Sequence, residues 1–145
     1  MAKFVFKMQN ILTLREKLEE QQKTAFRGAN AILDEEQIKL RELYARQMGY
    51  EKSLKECQQE SIDLKKWNFY KNAIDTMKSK VRDQMFVVKK AQDNLEIERQ
   101  KLNEAIKERK IQEKLKEHAF EEFKKEILAD ESKEIDQLVS FTYGR

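Results

Sequence analysis

Three groups of residues in this 145-residue chain have types and spacing that could do chemistry. Between Lys65 and Lys90, eight basic residues (Lys65, Lys66, Lys71, Lys78, Lys80, Arg82, Lys89 and Lys90) stand against Asp75 and Asp83, a local net of +6, with Trp67, Phe69 and Tyr70 interleaved near its start. Lysines neutralise phosphates and aromatic rings stack on bases, so this is a composition that single-stranded nucleic acid could use. His118 with Glu121 and Glu122 is the germ of a metal site, and Cys57, the only cysteine, could serve as a thiolate switch if its surroundings favoured the anion.

Each group fails as a site on its own terms. His118 has no second nitrogen or sulfur ligand at helical spacing, so a solvated charged face explains it better. Cys57 has no disulfide partner and no metal motif around it. No glycine-rich phosphate loop, zinc spacing or catalytic triad occurs, so no catalytic residue, no metal, no cofactor and no nucleotide are expected. The lysines alternate around a helix instead of lining one face, which suits an acidic protein or an anionic membrane face within a Debye length better than nucleic acid. No nucleic-acid partner is expected.

The elements that must carry these residues are set by apolar spacing. Phe4, Ile11, Leu18, Ala25 and Ile32 recur every seven residues, and Ile74, Val81, Val88, Leu95 and Leu102 do so later. A sevenfold repeat keeps one seam of a helix against another helix. With 39% charged residues there is too little apolar material for a thick core, but enough for a narrow seam. Disorder would bring more proline and glycine, and the chain has no proline and three glycines.

The spacing predicts one helix over about 4–58, a turn at about 59–63 and a second helix over about 64–140. The first seam reads Phe4, Met8, Ile11, Leu18, Ala25, Ala29 and Ile32, then moves one position to Leu33, Leu40, Leu43, Tyr50, Leu54 and Cys57. The second reads Ile74, Met77, Val81, Val88, Ala91, Leu95, Leu102 and Ala105, interrupted by Gln84 and Glu98, and weakens beyond Ile106. Ser61 or Asp63 is placed to cap the second helix. Gly28 and Gly49 imply close helix approach or a bend, since mid-helix glycine costs about 1 kcal/mol against alanine, or else mark tolerated surface positions. A turn near residue 61 lets the first helix cover the second only to about residue 118.

Two helices joined by a short connection pair most easily as an antiparallel hairpin, so the fold class expected is all-α, a long two-helix antiparallel coiled coil. The rival is a parallel dimer of one continuous helix. No run approaches the roughly 18 apolar residues of a membrane span, and Phe4-Val-Phe is followed at once by polar residues, so no secretion signal is read. A soluble, cytoplasmic, non-enzymatic adaptor or stalk is expected. At its turn Trp67, Phe69, Tyr70, Ala73 and Met77 have little core of their own to fill and could serve a partner.

The order and spacing of several segments resemble the FliJ family of flagellar export proteins over nearly the whole chain. The carriers are Phe4-Val-Phe-Lys-Met-Gln-Asn-Ile-Leu-Thr-Leu-Arg-Glu, Trp67-Asn-Phe-Tyr, Arg109-Lys-Ile-Gln-Glu-Lys-Leu-Lys-Glu and Glu134-Ile-Asp-Gln-Leu. The resemblance implies a stalk-like coiled coil that binds the ring of the flagellar export ATPase, promotes its assembly and activity, couples it to the membrane export gate protein, and escorts export chaperones. It implies a place at the cytoplasmic face of the cell membrane, held there through partners. Carried onto this sequence, Trp67, Phe69, Tyr70, Ala73 and Met77 would face the gate. Phe4, Leu115, Phe120, Phe123, Ile127 and Leu138 would face the ATPase. Ala73 is small where a larger apolar contact would be easier to defend. The alternative is a generic coiled-coil chaperone or dimeric scaffold unrelated to flagella.

Overall fold

The computed structural model describes residues 2–59 and 63–143. Two helices account for nearly all of them: α1, Gln9–Gln59, and α2, Leu64–Tyr143, of 51 and 80 residues. No strand occurs among the described residues, and the fold is an all-α helical hairpin. Asp63 caps α2: its Oδ1 accepts from the Lys65 amide at 3.0 Å and its carbonyl from the Trp67 amide at 2.9 Å. Ser61, the other expected cap, and most of the expected turn lie outside the described residues.

The chain divides into two compact units. One holds residues up to Gln22 with those from Leu102 onward, and the other holds Lys23–Lys101. In the Lys23–Lys101 unit the helices are antiparallel, since Glu36 of α1 meets Gln84 of α2 whereas the later Tyr50 meets the earlier Tyr70. Gln84 Nε2 bonds the Glu36 carbonyl at 2.9 Å, Tyr44 Oη donates to Met85 Sδ at 3.7 Å, and the Tyr50 and Tyr70 rings lie 6.5 Å apart. The α2 seam is the expected one: Ile74, Met77, Val81, Val88 and Ala91 are buried.

The α1 seam differs from expectation. Phe26, Ala29, Leu33, Glu36, Leu40, Leu43, Gln47, Tyr50, Leu54 and Cys57 turn inward, alternating steps of three and four, while Ala25 and Ile32 are exposed. No one-residue shift occurs near Ile32. A strict heptad already keeps pace with an underwound helix, so none is needed. Nothing lies within 4 Å of where a Cβ would stand at Gly28 or Gly49, so neither marks the close approach expected there.

In the unit containing both termini the pairing is again antiparallel. Lys116 Nζ donates to Gln9 Oε1 at 2.8 Å, Arg15 pairs with Glu108 at 3.6 Å, and Glu19 with Arg109. The seam is Met8, Leu12, Arg15, Glu19 and Gln22 against Leu102, Ala105, Arg109, Gln112, Lys116, Ala119 and Phe123. Ile11 and Leu18, expected on it, are 41% and 38% exposed. The apolar stripe that the sequence displays most openly therefore lies outside the pair, and polar residues fill the seam beside it.

Residues 2–6 precede α1 outside any helix, so α1 begins at Gln9 and not at Phe4. This short segment lies against α2 as far as Phe123 and Glu126, beyond the limit near residue 118 expected for a fully helical start. Every described residue from 128 onward is exposed.

Candidate functional site

Two surfaces gather the residues that the sequence marks for partners. In the Lys23–Lys101 unit, the start of α2 carries the aromatic group. Asp63 fixes its first turn, and Lys71 Nζ lies 4.7 Å from the Trp67 ring centre, a cation–π contact along one helix face. Tyr70 is half-buried between Tyr50 and Phe69, the latter 5.5 Å away and edge-on. Phe69 itself is 62% exposed.

The remaining two members differ. Ala73 is half-buried, and Met77, buried in the seam, can reach a partner only if the helices part. All eight basic residues from Lys65 to Lys90 are exposed, with Lys89 paired to Asp93 at 3.3 Å. Phe86, 77% exposed among them, escaped the sequence reading. Counting heptad positions forward from Val81 would have found it, because five residues on is the outermost position of the helix.

The second surface lies in the unit containing the termini. Phe4 places its ring 5.1 Å from Phe120, edge-on, and 5.4 Å from Phe123. Edge-to-face packing of this kind adds about 0.5–1.5 kcal/mol beyond the area buried. Around it is an open apolar hollow of about 450 Å³ lined by residues 3–8 with Ala119, Glu122, Phe123 and Glu126. Lys124 Nζ stands 4.6 Å over the outer face of Phe120. Ile127 is half-buried, while Leu115 and Leu138 face solvent away from this cluster. Phe4, Phe120 and Phe123 thus belong together.

The electrostatics of this unit centre on Arg109. Its Nε bonds Glu19 and its Nη1 bonds Glu113 at 2.8 Å; these two carboxylates, Glu113 first, raise the guanidinium pKa above its ordinary value. Glu19 is 6% exposed, the one charged residue among the buried positions of the described residues. Arg15 Nε and Gln112 Oε1 are buried and lack a partner, so the polar seam is incompletely satisfied. His118 is exposed, and the described residues hold no group of three His, Cys, Asp or Glu that could ligate a metal. Cys57 is half-buried on the seam. No helix among the described residues is long and apolar enough to cross a membrane.

What the described residues define is an all-α helical hairpin that carries exposed aromatic and basic groups. The sequence pattern of the flagellar FliJ protein family matches residues 4–145, and the chain belongs to that family, a flagellar export-associated one. No curated protein matches the chain, and no solved structure does.

Proposed function

We propose that this chain is the non-enzymatic stalk and coupling subunit of a flagellar type III export apparatus. Its terminal unit binds the ring of the export ATPase and promotes its assembly and activity. The start of α2 meets the membrane export gate protein, and the chain also escorts export chaperones. It works at the cytoplasmic face of the cell membrane, held there through these partners and not by a span of its own.

The observation that carries this reading is the state of Phe69. A large ring, 62% exposed, is held against Tyr70 at the capped start of a helix and is surrounded by exposed lysines. Aromatic anchors dominate interface energetics, and a preorganised one loses little entropy on docking. The surrounding positive charge favours an acidic target and speeds encounter with it. Phe4, Phe120 and Phe123 supply the corresponding aromatic group for the ATPase.

The test uses the full chain with the cognate export ATPase and the soluble part of the gate. Adding the chain should raise hydrolysis and shift the ATPase toward its ring form. Phe69→Ala should weaken gate binding by at least about tenfold while leaving far-ultraviolet circular dichroism unchanged. No effect on hydrolysis or oligomerisation, with no gate binding by the wild-type chain, would remove the proposal.

A further inference from the structure

The eight basic residues from Lys65 to Lys90 share one side of the Lys23–Lys101 unit. With Ile74, Met77, Val81, Gln84 and Val88 turned toward α1, the heptad puts Lys66 and Lys80 on one flank of α2 and Lys71 and Lys78 on the other. Lys65, Arg82, Lys89 and Lys90 lie on the outer face between the flanks, together with the two acidic residues of the stretch, Asp75 and Asp83. Neither flank carries a carboxylate there, and the whole local net of +6 falls on the half of α2 that faces away from α1. Residues 31–59 of α1 hold six acidic and five basic residues, a net of −1, so the positive charge belongs to the α2 side alone. Beyond Lys90 the basic stretch ends at Asp93, which pairs with Lys89.

Phe86 stands at the outermost position of this ridge and is 77% exposed. Its neighbours on the helix surface, three and four residues away, are Arg82, Lys89 and Lys90, with Asp83 the one acid among them. A ring at that position contributes nothing to the pairing of α1 with α2. Phe69, also exposed, lies on the same outer face about 25 Å away, at about 1.5 Å per residue.

We infer that this ridge rests directly on an anionic lipid surface, with α2 parallel to the membrane plane, Phe86 sunk among the headgroups and the lysines of both flanks reaching phosphates. A helix is about 10 Å across and the Debye length at physiological salt is about 8 Å, so cations on the crest and on both flanks feel the surface together. Long lysine and arginine stems let the flanking charges extend toward it. A lipid surface suits the pattern better than an acidic protein does. The charge is spread round a convex half-cylinder and the ring projects from its crest, a shape that a protein could match only with a recess, whereas fluid lipid closes around whatever projects. Such attraction is reversible and falls with salt. The inference goes beyond the proposed function by adding lipid itself to the attachment through partners. It needs neither ATPase nor gate, so either reading can fail while the other stands.

Cosedimentation of the full chain with vesicles tests it, comparing phosphatidylcholine alone with phosphatidylcholine carrying about 30% phosphatidylglycerol. The chain should bind the anionic vesicles at least about tenfold more tightly, and that binding should fall at least about tenfold between about 50 and 300 mM salt. Phe86→Ala should weaken it at least about threefold, and Lys89→Glu with Lys90→Glu at least about tenfold, with helicity unchanged because all three positions are exposed. In a Trp67→Phe background, the emission of Phe86→Trp should move to shorter wavelength on the anionic vesicles only. Equal affinity for both vesicles, no binding at low salt, indifference to Phe86→Ala, or an unshifted emission would each overturn the inference. So would Phe86→Ala sparing vesicle binding while weakening capture of the soluble part of the gate, which would assign the ridge to an acidic protein.

Discussion

The two units solve the same packing problem with different residues. Around Leu33, Val88 and Ala91 the seam is aliphatic, with Leu40 and Leu95 packed against it, and Glu36 paired with Gln84 interrupts it, as do Gln47 and Glu98 further along. In the terminal unit Arg15, Glu19 and Gln22 face Arg109, Gln112 and Lys116, and Ile11, Leu14 and Leu18 of α1 point outward while Met8 and Leu12 stay in the seam. Apolar layers gain free energy in proportion to area removed from water. Charged layers gain Coulomb energy but lose hydration, so their net contribution is small and their main effect is to fix which residue stands opposite which. The aliphatic unit supplies stability, and the polar one supplies register while keeping an apolar surface available.

The sharpest way to break this contrast is to place a charge in the aliphatic seam. Val88→Asp puts a carboxylate where the side chain is buried against Leu33 and Ala91. It should cost about 4 kcal/mol and lower the thermal midpoint of the helical signal accordingly. A loss below about 1 kcal/mol would show that this seam opens readily and that the aliphatic unit is not the stable one.

A smaller effect is expected from the polar seam. Glu19→Ala leaves Arg109 with Glu113 alone and should cost about 1–2 kcal/mol in urea unfolding. Replacing both members, Glu19→Leu with Arg109→Leu, removes two desolvation costs and should raise stability above wild type by about 1 kcal/mol or more. If the double variant is weaker than Glu19→Ala, the charged layers are stabilising and the distinction between the units collapses.

Why the sequence yielded one seam and concealed the other follows from this difference. In α2 the inward positions from Ile74 to Leu102 are mostly aliphatic, so hydrophobic spacing and burial coincide there. In α1 the sevenfold series Ile11, Leu18, Ala25, Ile32 has the right period and the wrong phase, because another heptad, Leu12, Glu19, Phe26, Leu33, runs one residue later. Spacing alone cannot choose between adjacent stripes when one is uniformly apolar and the other contains charges that are satisfied only by the facing helix. Glu19 looks solvated until Arg109 is placed opposite it, and that pairing depends on residues 90 positions away. The Asp63 cap was legible because capping is local. The period places Phe4 on a helix, whereas it precedes α1 and packs on Phe120 and Phe123. Of the residues expected to face a partner, aromatic type singled out Trp67, Phe69 and Tyr70, but only side-chain packing distinguishes exposed Phe69 from buried Met77.

The smallest expected effect belongs to the layer of Glu36 and Gln84 in the aliphatic unit, and pH isolates it. Gln84 Nε2 donates to the Glu36 carboxylate at 2.5 Å, and Lys39 Nζ approaches it at 3.2 Å. Gln84 first and Lys39 second hold this carboxyl below the ordinary glutamate range, against a partial opposing effect of desolvation. A carboxyl with a lower pKa folded than unfolded binds fewer protons in the native state near that pH. Its contribution is therefore present above the unfolded glutamate value of about 4.3 and is lost as pH falls through the lowered folded value. In Glu36→Gln the neutral amide oxygen can still accept from Gln84, but without charge assistance. The thermal midpoint of wild type should exceed that of Glu36→Gln near neutrality, and the gap should close as pH falls below about 4. A gap that stays constant across this range would mean that the ionised carboxylate is not what holds Gln84, and that this layer is secured by the backbone carbonyl of Glu36 alone.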